Sequence, residues 1–193
     1  MDECKAMDVN TLGPDVNESN VKFTVNHLGD IRFGLGAIKG ASESGVASII
    51  EERHKNGEFK SVYDFFERIN MSACNRKTLE SLILAGALDC FKDFRRESYF
   101  ATYNNKETFL ACLMRYGNRY QSDRQQSTNS LFGDMGVTVD IQHPLPPDNI
   151  PEWSDLERLN KERDLVGIYL SAHPLDEYSV VLNHVCTAHA IEL

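Results

Sequence analysis

The stretch IRFGLGAIKGAS, residues 31–42, decides the fold that this sequence predicts. It is a glycine-dense turn directly before a segment whose apolar residues, Val46, Ile49 and Ile50, recur with the period of a helix. Arg53 follows on the same face, and its stem is predicted to lie along the apolar stripe with its charge in water. The pattern approximates a helix-hairpin-helix motif. An ordinary glycine turn before a helix has similar residues, so both interpretations stay open at this point.

Phosphate binding by such a turn depends on backbone N–H groups near a helix N-terminus, which donate to a phosphate oxygen without reading bases. Glycine lets the phosphodiester approach the backbone closely. Ser42 is also expected to cap the helix that follows. The predicted contacts are three backbone amides and one charged side chain, namely Gly36, Gly40, Ser42 and Lys39.

Upstream of the turn, the sequence predicts a short β-hairpin. Val21, Phe23 and Val25 alternate with polar residues, and Ile31 and Phe33 continue the alternation after a glycine-containing loop. A small pair of strands is therefore expected before the helices.

Downstream of the turn, capping residues predict two further helices. Ser61 starts one of them, with Asp64 three residues later as in a capping box, and Asn75 starts the next. Gly86 is placed to end this third helix in a left-handed conformation. A second pair of candidate phosphate contacts lies where the third helix begins: Arg76 and Lys77.

The chain as a whole is predicted to be mainly α, a tandem helix-hairpin-helix with a short N-terminal β-hairpin and a helical C-terminal extension. Ser154 and Glu157 predict a capping box at the start of that extension. The expected segments are an N-terminal part at 1–30, the tandem core at 31–91, a long helix at 92–120, a linker at 121–152 and the extension at 153–193.

Charge limits the kinds of partner that the chain can bind. The 193 residues have a formal net charge of -9, with the acidic excess at both ends and seven basic against four acidic residues in 92–124. An even coat of positive charge around nucleic acid is thereby excluded, so any contact must come from a local patch or from backbone amides. No apolar run approaches the ~20 residues that span a bilayer, and the N-terminus is polar, so we expect no membrane association. Five cysteines without a CxxC pair indicate reduced thiols in a cytoplasmic protein.

Catalytic and cofactor motifs are missing from the sequence. It contains no Gly-Lys-Ser/Thr element of a P-loop and no GxGxxG fingerprint of a dinucleotide site. His184, Cys186 and His189 lack an evident fourth metal ligand. No pair of aspartates is placed on adjacent strands to hold two Mg²⁺ ions. We therefore expect no catalytic residue, no metal site and no cofactor in this chain.

The glycine-rich stretch resembles a known family. Ile31-Arg32-Phe33-Gly34-Leu35-Gly36-Ala37-Ile38-Lys39-Gly40 is similar to a segment of the bacterial C-family replicative polymerases, the DNA polymerase III alpha subunits. Further stretches extend the resemblance over nearly the whole chain: Pro14–Ser19, Asn75–Lys77, Ala85–Asp89, Leu131–Gly133 and Leu165–Asp176.

The resemblance implies a role for each segment. Residues 1–30 would be the end of the fingers, 31–91 the duplex-binding core, and 153–193 the lead-in to an OB-fold. The family's palm aspartates, which bind Mg²⁺, precede this region. The implied function is a non-catalytic piece that holds duplex DNA in a polymerase carrying out template-directed synthesis, in contact with the other domains of that subunit.

The same resemblance implies a link to the sliding clamp, through residues at the end of the predicted linker: Gln126, Leu131 and Phe132. Two alternatives remain open. The helices could be a scaffold that only joins the fingers to the OB-fold, or the chain could be a helix-hairpin-helix module of a repair nuclease or ligase. Salt-dependent binding to duplex DNA would separate the DNA-holding role from the scaffold.

Overall fold

The computed structural model describes residues 7, 9–103, 106–129, 142–172 and 174–175. Its N-terminal part is a three-stranded sheet. Its strands lie in the order β1 (Thr11–Leu12), β3 (Ile31–Arg32), β2 (Thr24–Val25). The antiparallel pairing of β2 with β3 confirms the predicted hairpin. The parallel pairing of β1 with β3 was not predicted, because two residues are too few to show a strand period.

Three helices follow the sheet: α1 (Glu43–Asn56), α2 (Val62–Arg68) and α3 (Arg76–Leu84). A short 3-10 turn, Leu35–Ala37, lies between β3 and α1. Each helix begins where the capping residues predict, because the side chains of Ser42, Ser61 and Asn75 each accept a hydrogen bond from a backbone N–H three residues on. Gly86 has a φ of +85°, as predicted for the end of the third helix.

Two side chains in these helices differ from the prediction. Asp64 accepts from the backbone N–H of Lys60 at 2.9 Å, so it does not complete the capping box expected with Ser61. Arg53 is buried rather than reaching into water, and its guanidinium donates to two backbone carbonyls of the N-terminal loop. Those bonds, to Val16 and Ser19, are both 2.9 Å long. Arg53 thus fixes the N-terminal segment to α1.

The single helix predicted over 92–120 is wrong. A short helix α4 (Arg96–Phe100) is followed by two antiparallel strands, β4 (Thr102–Tyr103) and β5 (Glu107–Thr108), and then by α5 (Phe109–Asn129). β-branched and aromatic residues in the strands favour extended structure there.

Helix α5 also continues to Asn129, into the region predicted as a linker. The reason is tertiary: the side-chain amide of Gln121 donates to the carbonyls of Glu67 at 3.0 Å and Ile69 at 2.8 Å, so α5 is tied to the end of α2. The polar composition of this region does not by itself indicate that a tertiary contact stabilises a helix there.

The C-terminal extension begins with α6 (Asp155–Val166), and both hydrogen bonds of the predicted capping box between Ser154 and Glu157 are present. Leu159 is buried, whereas Leu156 is exposed. Residues 142–154 form neither helix nor strand, as the prolines predict. The candidate metal ligands His184, Cys186 and His189 lie outside the described residues.

One apolar core joins the 3-10 turn and helices α1, α2, α3 and α5, and it confirms the mainly α fold. Its largest fully buried members include Leu35, Ile49, Phe65, Phe66, Leu79, Leu82, Phe109, Leu110 and Leu113. Within the ranges that the structure describes, none of the helices has the length and apolar character needed to cross a membrane.

Candidate nucleic-acid interface

The N-termini of α1 and α3 lie side by side. The hydroxyl of Ser42, which caps α1, donates to the carbonyl of Ala73 at 3.1 Å. The backbone N–H of Ser42 donates to the hydroxyl oxygen of Thr78 at 3.1 Å, and that hydroxyl donates to Ser42 Oγ. The first turns of the two helices are thereby joined by hydrogen bonds, which place the two N-termini next to each other.

Unpartnered backbone donors lie at these two helix starts. In the described part of the chain, the first two N–H groups of α1, at Glu43 and Ser44, have no hydrogen-bond partner. The same holds for Arg76 and Lys77 in α3, and all four residues are exposed. A helix N-terminus also carries about half a positive charge from the aligned peptide dipoles. The pair of N-termini can therefore bind anionic oxygens such as those of phosphate.

Gly40 brings the glycine turn to this same surface. Its φ is +87°, and a Cβ built on it would lie 2.6 Å from Ser81 Oγ and 3.5 Å from Lys77 Cε. Only glycine fits there without a shift of its neighbours. The short distance to Lys77 Cε also shows that the side chain of Lys77 lies beside the turn. Lys39, next to Gly40, is exposed. Of the predicted phosphate contacts, the structure brings together Lys39, Gly40 and Lys77.

Gly36 has another use than the one predicted for it. Its backbone N–H donates to the carbonyl of Val21 at 3.0 Å, so the amide is occupied. A Cβ at this position would lie 2.8 Å from that same oxygen. Gly34 is closed in similarly, with 2.5 Å between a built Cβ and the carbonyl carbon of Lys22. These glycines let residues 21–23, the segment directly before β2, pass close to the turn.

Ser42 likewise has its groups engaged within the protein, since its N–H and hydroxyl bond Thr78 and Ala73. Its φ is -76°, so it needs no left-handed conformation. Ser42 therefore positions the two helix N-termini. Thr78 was not predicted as part of this site, and its one local signal is its position three residues after Asn75, whose side chain accepts from the Thr78 N–H.

The charges at this surface partly cancel. Arg76 pairs with Glu80 at 2.7 Å, one helical turn away, and Glu43 adds a carboxylate in the first turn of α1. Lys39 and Lys77 remain beside Gly40. The positive potential is local and modest, and most of the binding capacity lies in backbone donors.

The turn is held from behind by the C-terminal extension. The backbone N–H of Lys39 donates to the carbonyl of Leu165, near the end of α6, at 3.0 Å. This bond leaves the lysine side chain free to face solvent while it fixes the backbone of the turn.

The predicted clamp contacts cannot be placed in the same way. Leu131 and Phe132 lie outside the described residues, and for Gln126 only the backbone, within α5, is described. As for metals, the described ranges contain no group of three or more His, Cys, Asp or Glu side chains arranged to hold an ion.

Comparison with known proteins agrees with this geometry. A family profile described as a helix-hairpin-helix motif matches residues 8–98. A protein of Vibrio cholerae named DNA polymerase III subunit alpha is 36% identical over 183 residues, which is 92% of this chain and 15% of the relative. The protein of the same name in Deinococcus radiodurans is 40% identical over 176 residues, 91% of this chain and 12% of the relative.

A third relative of that name, from Pseudomonas aeruginosa, is 34% identical over 200 residues that take in 100% of this chain but only 17% of the relative. The chain thus spans about one sixth of the length of the relatives it matches, or less. The motif and these similarities over nearly the whole chain show that it belongs to the family of the bacterial DNA polymerase III alpha subunits, as the counterpart of one segment of those longer proteins.

Proposed function

We propose that this segment holds duplex DNA by its sugar-phosphate backbone, at the surface formed by the N-termini of α1 and α3. The observation that carries the proposal is the meeting of two helix starts with unpartnered N–H groups and a glycine turn flanked by Lys39 and Lys77. The donors are backbone groups and flexible ammonium groups, so binding is independent of base sequence.

The wider setting of the proposal is template-directed DNA synthesis by a longer polymerase in the cytoplasm. The segment supplies no catalytic group and no cofactor of its own, and Mg²⁺ belongs to the catalytic part of the parent. Its partners are the duplex, the sliding clamp and the other domains of the alpha subunit.

Net charge sets the expected strength of binding. The chain carries a formal charge of -9, so long-range electrostatics oppose its approach to DNA and the local surface must supply the affinity. Binding releases counterions from the duplex, and the affinity should therefore fall steeply as salt rises. We expect weak but measurable binding at low ionic strength.

The test is a fluorescence-anisotropy titration of the protein with random-sequence duplex DNA at several salt concentrations. Lys39→Ala and Lys77→Ala should each lower the affinity, and each should reduce the slope of log K against log salt by about one. Lys55→Ala is the matched control, because Lys55 is exposed in the last turn of α1, at the opposite end of that helix. A duplex affinity that ignores salt and is the same in all three variants would refute the proposal.

If the segment is only a scaffold, we expect no measurable DNA binding, since helices that only join neighbouring segments need no affinity for DNA. The same titration decides between the two functions. The alternative of a repair nuclease or ligase module is disfavoured because the relatives reported above are polymerase subunits that match nearly the whole chain.

We further propose that the segment links the polymerase to the sliding clamp through Leu131 and Phe132, with Gln126 preceding them. The supporting observation is a pair of apolar residues that follows directly on the polar sequence at the end of α5. A short apolar peptide of this kind docks in a hydrophobic pocket, where a buried aromatic side chain can dominate a small interface.

The clamp proposal is tested with a synthetic peptide of residues 124–136, titrated against the clamp of the same organism. A matched peptide carries Leu131→Ala and Phe132→Ala. We expect the unaltered peptide to bind and the doubly substituted one to lose binding. Equal binding of the two, or none from either at millimolar concentration, would mean that these residues are a linker.

A further inference from the structure

A buried carboxylate in the C-terminal extension is bonded on all sides. Glu162, in α6, is 1% exposed. One of its oxygens accepts from the backbone N–H groups of Leu170 at 3.1 Å and Ser171 at 2.9 Å. The other accepts from the Ser171 hydroxyl at 2.5 Å and from the guanidinium of Arg96 at 3.0 Å. The carboxylate therefore folds the chain after α6 back onto the helix and fastens both to Arg96.

Arg96 in turn is bonded to the helix-hairpin-helix core. Its guanidinium pairs with Asp89, with distances of 2.5 to 3.0 Å, and donates to the carbonyl of Leu84 at the end of α3 at 3.2 Å. Gly86 makes room for it, since a Cβ there would lie 2.2 Å from Arg96 Nη2. Gly86 thus both ends α3 in a left-handed conformation and leaves the space that the Arg96 guanidinium occupies.

Glu162 lies within one helical turn of the residue in α6 that holds the Lys39–Gly40 turn. Leu165, whose carbonyl accepts from the N–H of Lys39 at 3.0 Å, is three residues after Glu162 in α6, a rise of about 4.5 Å. A rigid helix transmits any displacement at Glu162 to that carbonyl. The path runs from Arg96 through Glu162 and Leu165 to the backbone of the Lys39–Gly40 turn.

We infer that Glu162 and Arg96 form a latch that positions the Lys39–Gly40 turn for phosphate binding, so that the C-terminal extension controls the DNA affinity of the core. Glu162 is a positioning residue, because it acts through Leu165 and does not itself face the DNA. The inference rests on the proposed function for its DNA readout, whereas its effect on the backbone of the turn can be measured without DNA.

The main variant is Glu162→Gln, compared with Asp164→Asn. Both substitutions remove one negative charge from α6, but the Asp164 side chain is 70% exposed and its ion pair among the described residues is with its neighbour Arg163. We expect amide hydrogen exchange at residues 39–42 and 170–171 to be faster in Glu162→Gln than in Asp164→Asn. We also expect the duplex affinity of Glu162→Gln to be several-fold lower than that of the control.

A double-mutant cycle separates positioning from a general loss of structure. If the latch acts through the turn, Glu162→Gln should weaken DNA binding less, or not at all, when Lys39 is already alanine. Additive effects would contradict action through the turn. Ser171→Ala removes only the hydroxyl bond to Glu162 and replaces Glu162→Gln in these experiments if that variant fails to fold. Its expected effects on amide exchange and DNA affinity have the same direction and are smaller.

Unchanged amide exchange at residues 39–42 in both Glu162→Gln and Ser171→Ala would overturn the latch. Faster exchange with an unchanged DNA affinity would support the latch and count against the DNA-binding role of the turn. The failure of one proposal is thereby distinguished from the failure of the other.

Discussion

Gly40 combines a left-handed backbone with a lack of room, and Gly29 offers a comparison in open space. The φ values are +87° and +90°, but a built Cβ meets Ser81 Oγ at 2.6 Å at Gly40 and nothing within 4 Å at Gly29. Gly29→Ala should cost about 1 kcal/mol from backbone strain. Gly40→Ala should cost about 1 kcal/mol more, and it alone should weaken duplex binding.

Urea unfolding of the two glycine variants measures the difference in stability, and the anisotropy titration measures the difference in binding. An equal loss of stability in both variants would show that the contact with Ser81 does not restrict the turn.

The hydroxyl of Tyr99 is buried and has no hydrogen-bond partner among the described residues. Burial raises its pKa, because the phenolate is poorly solvated there. Tyr99→Phe removes an unsatisfied polar group, so we expect the free energy of unfolding at pH 7 to be unchanged or higher by up to about 1 kcal/mol. Tyr116→Phe is the comparison, since its hydroxyl bonds Glu67 and its loss should cost about 1 kcal/mol.

The pH dependence follows from the same burial. The unfolded chain ionises Tyr99 near the ordinary value of 10.0, while the native protein keeps the proton to higher pH because its pKa is raised. The unfolded state then binds fewer protons, so stability falls as the pH rises above 10, and it should fall less steeply in Tyr99→Phe. Urea unfolding at pH 8 and above pH 10 checks both statements, and parallel pH profiles for variant and wild type would contradict them.

Among the elements, α1 and α6 both begin with a serine cap, but only the cap of α1 also joins another helix. Ser154→Ala removes one cap and should cost about 1 kcal/mol. Ser42→Ala removes a cap, leaves the Ala73 carbonyl without its donor and leaves the proton of the Thr78 hydroxyl without its acceptor. We therefore expect it to cost about 1–3 kcal/mol more, measured by urea unfolding. Equal costs would mean that the bonds between the two helix starts contribute nothing.

The boundaries of α1, α2 and α3 could be predicted because their signals are local. A capping side chain and the N–H that it bonds lie three residues apart, so the positions of Ser42, Ser61 and Asn75 predict where each helix begins. The extent of α5 could not be predicted, because it depends on Gln121 reaching residues more than 50 positions earlier. β1 is likewise defined only by its parallel partner.

The candidate interface also has some features that the sequence could predict and others that it could not. Gly40 and its two lysines follow from the pattern of the turn, since a left-handed glycine before a helix is a local feature. The occupation of the Gly36 amide by Val21 is a tertiary fact, and so is the bond between Ser42 and Thr78. A motif in sequence names residues of a suitable type, but only the fold shows which backbone donors are already used.

For the molecule as a whole, we expect no primer extension from the purified chain with Mg²⁺ and deoxynucleotides. The chain matches only 12 to 17% of the length of the relatives described above, and the strands in the described ranges contain no pair of aspartates for two metal ions. A primer-extension assay beside a full-length alpha subunit checks this. Extension activity that follows the chain through repurification would contradict the proposal that this segment is non-catalytic.

The hydrogen bond from Lys39 to Leu165 has a consequence for the order in which the protein is made. Its two residues are roughly 125 positions apart. A ribosome that adds about 5–20 residues per second needs roughly 6–25 s to travel from one to the other. During that interval the nascent helix-hairpin-helix core can already fold, while the backbone of its glycine turn still lacks this bond. On the ribosome, the turn is completed only after the extension beyond it has been translated.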